Sequence, residues 1–399
     1  MKQIYLDHSA TTPMRSEVIE LVYDLMKNHF GNPSSLHKIG DDARGYLQTA
    51  RVQLAEALGA ANTEEDEIYF TSGGTEADNL AILGLAEQVG KGHLMTSAVE
   101  HHAVLDTCKY LASHGFDLTV LPVDQYGMVD PDEVKKNLRP DTFLVSLIHA
   151  NNEVGTINPV AQIGEILQEA EVAFHIDAVQ SFGKIPVKVN EIKADMITVS
   201  SHKINGPKGV GALYKQHELQ INRRVFGGGQ ERGLRSGTEN LTGIAGFGLA
   251  AELSQKEMAK HAAYWQSLRD YLVERLLAEI PFSRLNGHPT ERLPHNANVS
   301  FNYIEAEALL LHLALNGVCC SAGSACSSAD GQPSHVLAAM GIAPEWAHGA
   351  LRMTIGIGNT QEEMDATADL LKNKVDMLRL SSPYYDAKTG GSSGLKPKY

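Results

Sequence analysis

The sequence predicts an α/β protein in which helices cover a mainly parallel sheet. Short apolar runs alternate with stretches of helical periodicity from Glu67 to about Tyr214, and such alternation is typical of this class. Long helical patterns then replace the alternation between about Ile244 and Glu279. Because 399 residues are enough for two domains with separate cores, we expect a large domain followed by a smaller α+β domain.

The predicted elements of the large domain follow an N-terminal arm. A first helix carries apolar residues at helical spacing from Val18 to Met26 and stops at Gly31. A second helix is predicted over residues 43–58, ending at Gly59, and a third over residues 77–89. The strands are predicted at residues 67–70, 94–97, 118–121, 143–148, 172–176, 196–199 and 211–214.

The remaining elements indicate the smaller domain. Strand-like runs return at residues 297–301 and 351–355, and a closing helix is predicted over residues 361–378. The last residues are rich in turn-forming types and poor in apolar ones. The expected division is an arm that packs with the small domain (1–14), a large domain (15–255), a small domain (256–380) and a flexible tail (381–399).

Composition and charge exclude several classes of function. The formal net charge of −14 leaves no basic surface for nucleic acid or for an anionic membrane. No apolar segment has the length of a signal peptide or of a membrane span, so we expect a cytoplasmic protein. The four cysteines form no Cys-x-x-Cys pair, and structural disulfides are rare in the cytosol.

Three segments that follow predicted strands carry the candidate chemistry. Lys203 ends one strand and precedes a turn rich in Gly and Pro, which makes it a candidate Schiff-base amine. Asp177 ends another strand, where a buried carboxylate needs a cationic partner such as a pyridinium nitrogen. Gly74 and Thr75 open a helix after a third strand, and helix N-termini bind phosphate through backbone amides. Together these segments predict a pyridoxal phosphate site.

Cys326 differs from the other cysteines in its surroundings. Cys108 lies in a helical run, while Cys319 and Cys320 follow an apolar helix, so we expect all three to be packed. The residues around Cys326, from 321 to 331, are small and polar and lack periodicity. That composition predicts a mobile loop with Cys326 at its centre.

These segments resemble the cysteine desulfurases of the NifS/IscS type, within the class V aminotransferase superfamily. The resemblance extends from Tyr5 to about Leu380. It implies the fold of type I pyridoxal-phosphate transferases, with a seven-stranded sheet in the cofactor-binding large domain. The motifs occur in the family's order and are Gly31-Asn32-Pro33-Ser34-Ser35, Glu100-His101, Asn151-Asn152-Glu153-Val154-Gly155, Asp177-Ala178-Val179-Gln180, Ser201-His202-Lys203, Arg235-Ser236-Gly237-Thr238 and Ser324-Ala325-Cys326.

The resemblance implies a role for each residue around the cofactor ring. Lys203 would form the Schiff base with pyridoxal phosphate and later move the Cα proton of the substrate. Asp177 would keep the ring nitrogen protonated, and Gln180 would hydrogen-bond the phenolic oxygen. His101 would stack on the ring and relay protons, while Asn152 would lie near the phenolic oxygen and the substrate.

The resemblance also implies how the phosphate is held and how the subunits associate. A threonine that corresponds to Thr238 reaches the phosphate of the neighbouring subunit in this family, so we expect a homodimer with shared active sites. The phosphate contacts expected within one subunit come from Gly74, Thr75, Ser200 and His202.

The same resemblance assigns the reaction to Cys326. Its thiolate would attack the sulfur of L-cysteine, giving alanine and a persulfide that passes to a scaffold or acceptor protein. Arg352 would clamp the substrate carboxylate bidentately, with Asn152 and Asn32 also near the substrate. The resemblance allows Cys326 a further role as a transient iron–sulfur ligand shared with a scaffold.

Two kinds of alternative remain open at this point. A selenocysteine lyase, or another class V lyase or aminotransferase, would use the same Lys203 and Asp177, and the Cys326 segment counts against an aminotransferase. Outside enzymes, the chain would be a sulfur-transfer platform for a scaffold protein. The presence of Lys203, Asp177 and Gln180 together argues against that platform, because a non-catalytic relative has no chemical need for all of them.

Overall fold

The computed structural model describes residues 3–60, 67–323 and 334–395. Its helices are α1 (Ser16–Asn28), α2 (Lys38–Leu58), α3 (Gly74–Val89), α4 (His102–Ser113), α5 (Pro131–Asn137), α6 (Val160–Glu169), α7 (Val189–Ile192), α8 (Leu241–Glu279), α9 (Ala306–Leu315), α10 (His335–Ala339), α11 (Pro344–Ala347) and α12 (Gln361–Ser381). Its strands are β1 (Ile4–Tyr5), β2 (Ile68–Thr71), β3 (His93–Ser97), β4 (Asp117–Leu121), β5 (Thr142–Ile148), β6 (Ala173–Asp177), β7 (Met196–Ser200), β8 (Gly211–Lys215), β9 (Ser283–Leu285), β10 (Asn296–Phe301), β11 (Val318–Cys319), β12 (Ala350–Thr354), β13 (Tyr385–Asp386) and β14 (Gly391–Ser392).

A seven-stranded sheet forms the centre of the molecule, in the order β2-β8-β7-β6-β5-β3-β4. The strands from β7 to β4 are parallel, while β8 runs antiparallel to both of its neighbours. Parallel strands are stable only when both faces of the sheet are covered, so their sequences read as continuous apolar runs. The α/β class and the mainly parallel sheet predicted from those runs are confirmed.

Helices cover both faces of this sheet. Ile197 of β7 packs in the same core as Leu54 of α2 and Phe247 of α8. The preceding residue, Met196, points to the other face and packs with Leu80 of α3. Side chains of a strand alternate between faces, so one strand contributes to two separate apolar cores.

A second unit is built on the antiparallel sheet β12-β10-β9. Its core includes Val299 of β10, Leu351 of β12 and Leu371 of α12. The helix α8 has 39 residues and contributes Leu272 to this core and Phe247 to the core of the large sheet. The expected boundary between residues 255 and 256 therefore falls inside α8.

The two ends of the chain are tied to this second unit. Ile4 of β1 pairs with Val318 of β11. After α12, the strands β13 and β14 form a short hairpin within the segment predicted as a tail. The buried guanidinium of Arg379 lies 5.9 Å from the ring centre of Tyr385, which belongs to this hairpin. In the described ranges, no helix is long and apolar enough to cross a membrane.

Candidate active site

A cavity of about 240 Å³ lies at the carboxyl ends of the parallel strands. The connections that leave β3, β5, β6 and β7 meet at this edge, which is where open α/β sheets bind ligands. Most of the side chains that the sequence singled out line this cavity. They are Gly74, Thr75, His101, Asn152, Asp177, Gln180, Ser200, His202, Lys203 and Arg352.

Lys203 ends a short 3-10 turn that begins directly after β7. Its Nζ donates hydrogen bonds to the backbone oxygens of Ser9 at 2.6 Å and Ala10 at 2.9 Å. The N-terminal arm therefore forms one wall of the cavity and fixes the position of the lysine amine.

Asp177 is the last residue of β6 and is buried. Its Oδ1 accepts a hydrogen bond from the backbone N–H of Val179 at 2.9 Å. Burial raises the pKa of Asp177, while Lys203, and His101 when it is protonated, act in the opposite direction. No lysine or arginine of the described residues forms an ion pair with Asp177, so a cationic ring nitrogen would supply the partner that this carboxylate needs.

Two other buried acids, Asp78 and Glu100, lie in the same region. Burial raises the pKa of Glu100 to about 8 and the pKa of Asp78 well above its usual value, and the charge of Asp177 adds to both effects. The carboxyl group of Glu100 is therefore mainly protonated near neutral pH. Asp177 is the acid among them whose ionised form Lys203 favours.

His101 caps the N-terminus of α4. Its Nδ1 accepts a hydrogen bond from the backbone N–H of Ala103 at 3.1 Å. Burial lowers the pKa of His101, so the ring is neutral near neutral pH and carries its proton on Nε2. The side chain therefore presents an N–H donor on the side away from the helix.

The residues at the start of α3 fit a phosphate group. The Oγ of Ser200 is buried and has no hydrogen-bond partner among the described residues. The amides of Gly74 and Thr75 begin a helix, whose first N–H groups have no partner within the helix. Burial, reinforced by Lys203, lowers the pKa of the neighbouring His202 to about 4 and keeps that side chain neutral. A phosphate would supply the acceptors that these donors lack.

Gln180 also has an unpaired atom at the cavity. Its Nε2 donates to the backbone oxygen of Ser9 at 2.9 Å, and its Oε1 is buried with no partner in the described part of the chain. The amide retains a second N–H for a ligand. Gln180, Asp177, Lys203 and the donors at the start of α3 together form a set of groups that fits pyridoxal phosphate.

Arg352 lies on β12 and reaches the cavity from the second unit. Its Nη1 donates to the backbone oxygen of Asn152 at 2.9 Å, and its Nη2 donates to Asp7 Oδ1 at 3.0 Å. The Nε is buried without a partner among the described residues. The planar guanidinium is thus held in place and keeps donors for a substrate carboxylate.

Three of the predicted residues are not part of this cavity. Asn32 is exposed, and its Oδ1 accepts from the backbone N–H of Ser34 at 2.9 Å. Thr238 is exposed as well, beyond the lining of the cavity. Cys326 lies outside the described residues, and so does the predicted loop around it.

Cys108 and Cys320 are packed against apolar cores, as expected, while Cys319 is half-buried. Cys108 is fully buried, and burial raises the pKa of its thiol to about 12. Cys319 belongs to β11, and Cys320 packs against the core of the second unit, where burial raises its pKa. The residues that the structure describes contain no group of His, Cys, Asp or Glu side chains that could hold a metal ion.

Sequence reasoning missed several residues of the cavity. Ser9 and Ala10 contribute backbone oxygens, and no side-chain pattern reveals such a role. Asp78 lines the cavity four residues after Gly74, so the helical period could have placed it on the same face of α3. Asp7 pairs with Arg352 across the fold, and no sequence pattern predicted that pairing.

Comparisons with known proteins identify the family. The aminotransferase class-V family matches residues 4–367. The chain is 49% identical over 385 residues to a protein named cysteine desulfurase IscS from Dictyoglomus turgidum, covering 96% of this chain and 97% of that one. It is also 49% identical to cysteine desulfurase IscS from Methanosarcina thermophila, covering 96% and 94% of the two chains.

Solved structures show the same fold. A NifS-like protein superposes with a TM-score of 0.88 at 36% identity, covering 94% of this chain and all of that one. A NifS-like protein from Rickettsia africae gives a TM-score of 0.85 at 34% identity, covering 94% and 99%. A structure titled SspA in complex with cysteine gives 0.78 at 35% identity, covering 88% and 98%. The chain belongs to the class-V aminotransferase family and, within it, to the cysteine desulfurases of the NifS/IscS type.

Proposed function

We infer that the protein is a pyridoxal-phosphate-dependent cysteine desulfurase. It converts L-cysteine to L-alanine and leaves the sulfur as a persulfide on Cys326, for delivery to iron–sulfur cluster assembly or to other thio-acceptors. The observation that carries this proposal is the cavity that brings together Lys203, Asp177 and Arg352 from distant parts of the chain. The relatives named cysteine desulfurase support the same reaction.

The cofactor would be held at both ends by residues of the cavity. Asp177 would bind the ring nitrogen, and Gln180 the phenolic oxygen. The free donors of Ser200 and of the first turn of α3 would bind the phosphate. When bound, pyridoxal phosphate supplies an electron sink for the pair released at Cα of the substrate.

The chain's own groups then bind the substrate and move protons. Arg352 would hold the carboxylate of L-cysteine, which places Cα near the Lys203 amine. Lys203 takes the proton from Cα and returns it later. His101, neutral and protonated on Nε2, is able to donate a proton on the other side of the ring.

Cys326 would receive the sulfur. Its thiolate forms an S–S bond with the substrate sulfur while the Cβ–S bond breaks. The electron pair of that bond remains with the carbon skeleton, and proton uptake at Cβ gives the methyl group of alanine. A thiol with an ordinary pKa of about 8.5 is mostly protonated near neutral pH, so the substrate or a side chain must accept its proton.

The surface around Thr238 supports a homodimer with shared active sites. Thr238 is exposed and lies outside the cavity of its own chain. The Nε of Arg235 donates to Glu76 Oε1 at 2.8 Å, in the first turn of α3. This bond holds the segment that contains Thr238 close to the proposed phosphate site. Large apolar side chains nearby in sequence or on α1 are open to solvent, including Phe226 at 72% exposure and Met26 at 70%.

The reaction is tested by measuring alanine formed from L-cysteine. We expect the wild type to form alanine and Lys203→Ala to lose at least about 10²-fold in rate, because the proton at Cα then has no acceptor. Lys188→Ala, which changes a lysine whose Nζ bonds the backbone oxygen of Ala57, serves as the matched control and should retain the wild-type rate. A wild type that uses L-selenocysteine but forms no alanine from L-cysteine would point to the lyase instead.

A further inference from the structure

Lys184 is a buried cation for which the proposed reaction has no use. Only 4% of its surface is exposed, and its Nζ donates to the backbone oxygen of Gln180 at 2.9 Å. In the described parts of the chain, no carboxylate forms an ion pair with Lys184. Burying an ammonium without a carboxylate partner is energetically costly, so its presence beside the candidate active site indicates a function.

Hydrogen bonds through Gln180 connect Lys184 with Lys203. The backbone oxygen of Gln180 accepts from Lys184, while the side-chain Nε2 donates to the backbone oxygen of Ser9. The Nζ of Lys203 donates to that same Ser9 oxygen at 2.6 Å. Lys184 and Lys203 also line the same small hollow, and Lys203 lines the candidate active-site cavity as well. The two nitrogens are therefore fixed in one buried region.

Three histidines face Lys184, and none of them offsets its charge. The pKa values of His8 and His202 are lowered to about 4, chiefly by burial, and Lys184 contributes to both shifts. Burial and then Lys184 also lower the pKa of His295, to well below its usual value. All three rings are neutral near neutral pH, so they add no charge of either sign around Lys184.

The other ionisable groups of the hollow are balanced among themselves. Arg15 forms an ion pair with Glu257 at 2.6 Å, and His261 lies 3.7 Å from the same carboxylate. Glu257 is therefore paired with Arg15 and not with Lys184, which lines the same hollow.

We propose that Lys184 is a positioning residue whose protonated amine makes the nitrogen of Lys203 a weaker proton acceptor. This keeps the Lys203 amine neutral when it must take the Cα proton, and the inference rests on the proposed function. Like charges in a desolvated site each disfavour the protonation of the other. The reciprocal effect is seen at Lys184, whose pKa is lowered to about 7 by burial and then by Lys203.

The test is a pH titration of the resting holoenzyme followed by absorbance, since the cofactor's spectrum changes when the nitrogen it shares with Lys203 gains a proton. Lys184→Gln removes the charge but keeps a donor for the Gln180 oxygen. We expect it to titrate at least one pH unit above the wild type, an increase in proton affinity of about tenfold. Lys184→Arg keeps the charge and should titrate within a few tenths of a unit of the wild type.

Two further variants complete the experiment. Lys188→Gln removes a lysine that bonds a backbone oxygen away from the cavity, and its titration should match the wild type. Lys184→Met is the second uncharged variant, for the case that Lys184→Gln does not fold. A folded, cofactor-loaded Gln or Met variant that titrates with the wild type contradicts the proposal, and so does an equal shift in the Arg variant. A wild type without cofactor absorbance would instead contradict the proposed function.

Discussion

Arg352→Lys tests the proposed substrate clamp. The guanidinium is 3% exposed, and its contacts with Asn152 and Asp7 hold the planar group at the cavity. Lysine keeps the positive charge but lacks the planar set of N–H donors of a guanidinium, so at least one charge-assisted hydrogen bond to the substrate carboxylate is lost. One such bond contributes about 1.5–3 kcal/mol, which corresponds to a rise in the KM for L-cysteine of about 10- to 150-fold. The kcat should change little, because the lost contact is made before the chemical steps as well as during them.

The assay is alanine formation over a range of L-cysteine concentrations. Arg379→Lys is the matched control, since Arg379 is equally buried and donates to the backbone oxygens of Asn302 at 3.1 Å and Phe282 at 3.2 Å, in the core of the second unit. That variant should lose stability but keep the wild-type KM. The reasoning is refuted if Arg352→Lys lowers kcat at constant KM, or if the control raises KM to the same extent.

Three further predictions concern buried charges. Asp177→Asn removes the carboxylate that would bind the ring nitrogen, so the cofactor should be retained less well during gel filtration, as measured by its absorbance. Alanine formation should fall by about 10²-fold. Full retention of the cofactor with full activity would contradict this role. Burial raises the pKa of Glu100 to about 8, so its protonated form favours the folded state, and the free energy of unfolding should fall from about pH 4.5 to pH 8 relative to Glu100→Gln. Urea unfolding at several pH values checks this, and parallel profiles would show that Glu100 does not titrate as stated. Glu231→Ala breaks a buried ion pair with Arg51 at 2.9 Å and should lower the free energy of unfolding by about 3–5 kcal/mol. The double variant Arg51→Met, Glu231→Leu should lose less stability than the sum of the two single variants. Strictly additive losses, measured by urea unfolding, would argue against the pair.

The strands of the large sheet could be predicted from the sequence for a physical reason. A parallel strand that is buried on both faces must be apolar at consecutive positions, and β7 shows this pattern over Met196–Ser200. The second helix was harder to delimit. It begins at Lys38 rather than at residue 43, because its first turn is polar and its N-terminus is capped by the side chain of His37, which accepts from Gly40 N–H. Gly59, at a φ of 65°, ends it as predicted.

The site residues that lie at the end of a predicted strand could be predicted from the sequence. Asp177 and Lys203 each come at or just after the carboxyl end of a buried strand, so their convergence follows from the parallel sheet. The contribution of Ser9 was not predictable, since it acts through a backbone oxygen and is distant in the sequence from both Gln180 and Lys203. The sequence likewise did not show that Lys184 is buried and lacks an ion-pair partner among the described residues, because that depends on the packing around it.

Mapping the sulfur after a single turnover tests the central proposal most directly. The holoenzyme would be mixed with one equivalent of L-cysteine without reductant, and its peptides would be analysed by mass spectrometry alongside the measurement of alanine. We predict one added sulfur on Cys326 together with alanine, both lost in Cys326→Ala and both retained in Cys108→Ala and Cys320→Ala, whose thiols are packed in the interior. Equal alanine and free sulfide from Cys326→Ala would contradict the account, because the reaction would then not need Cys326 as the sulfur acceptor.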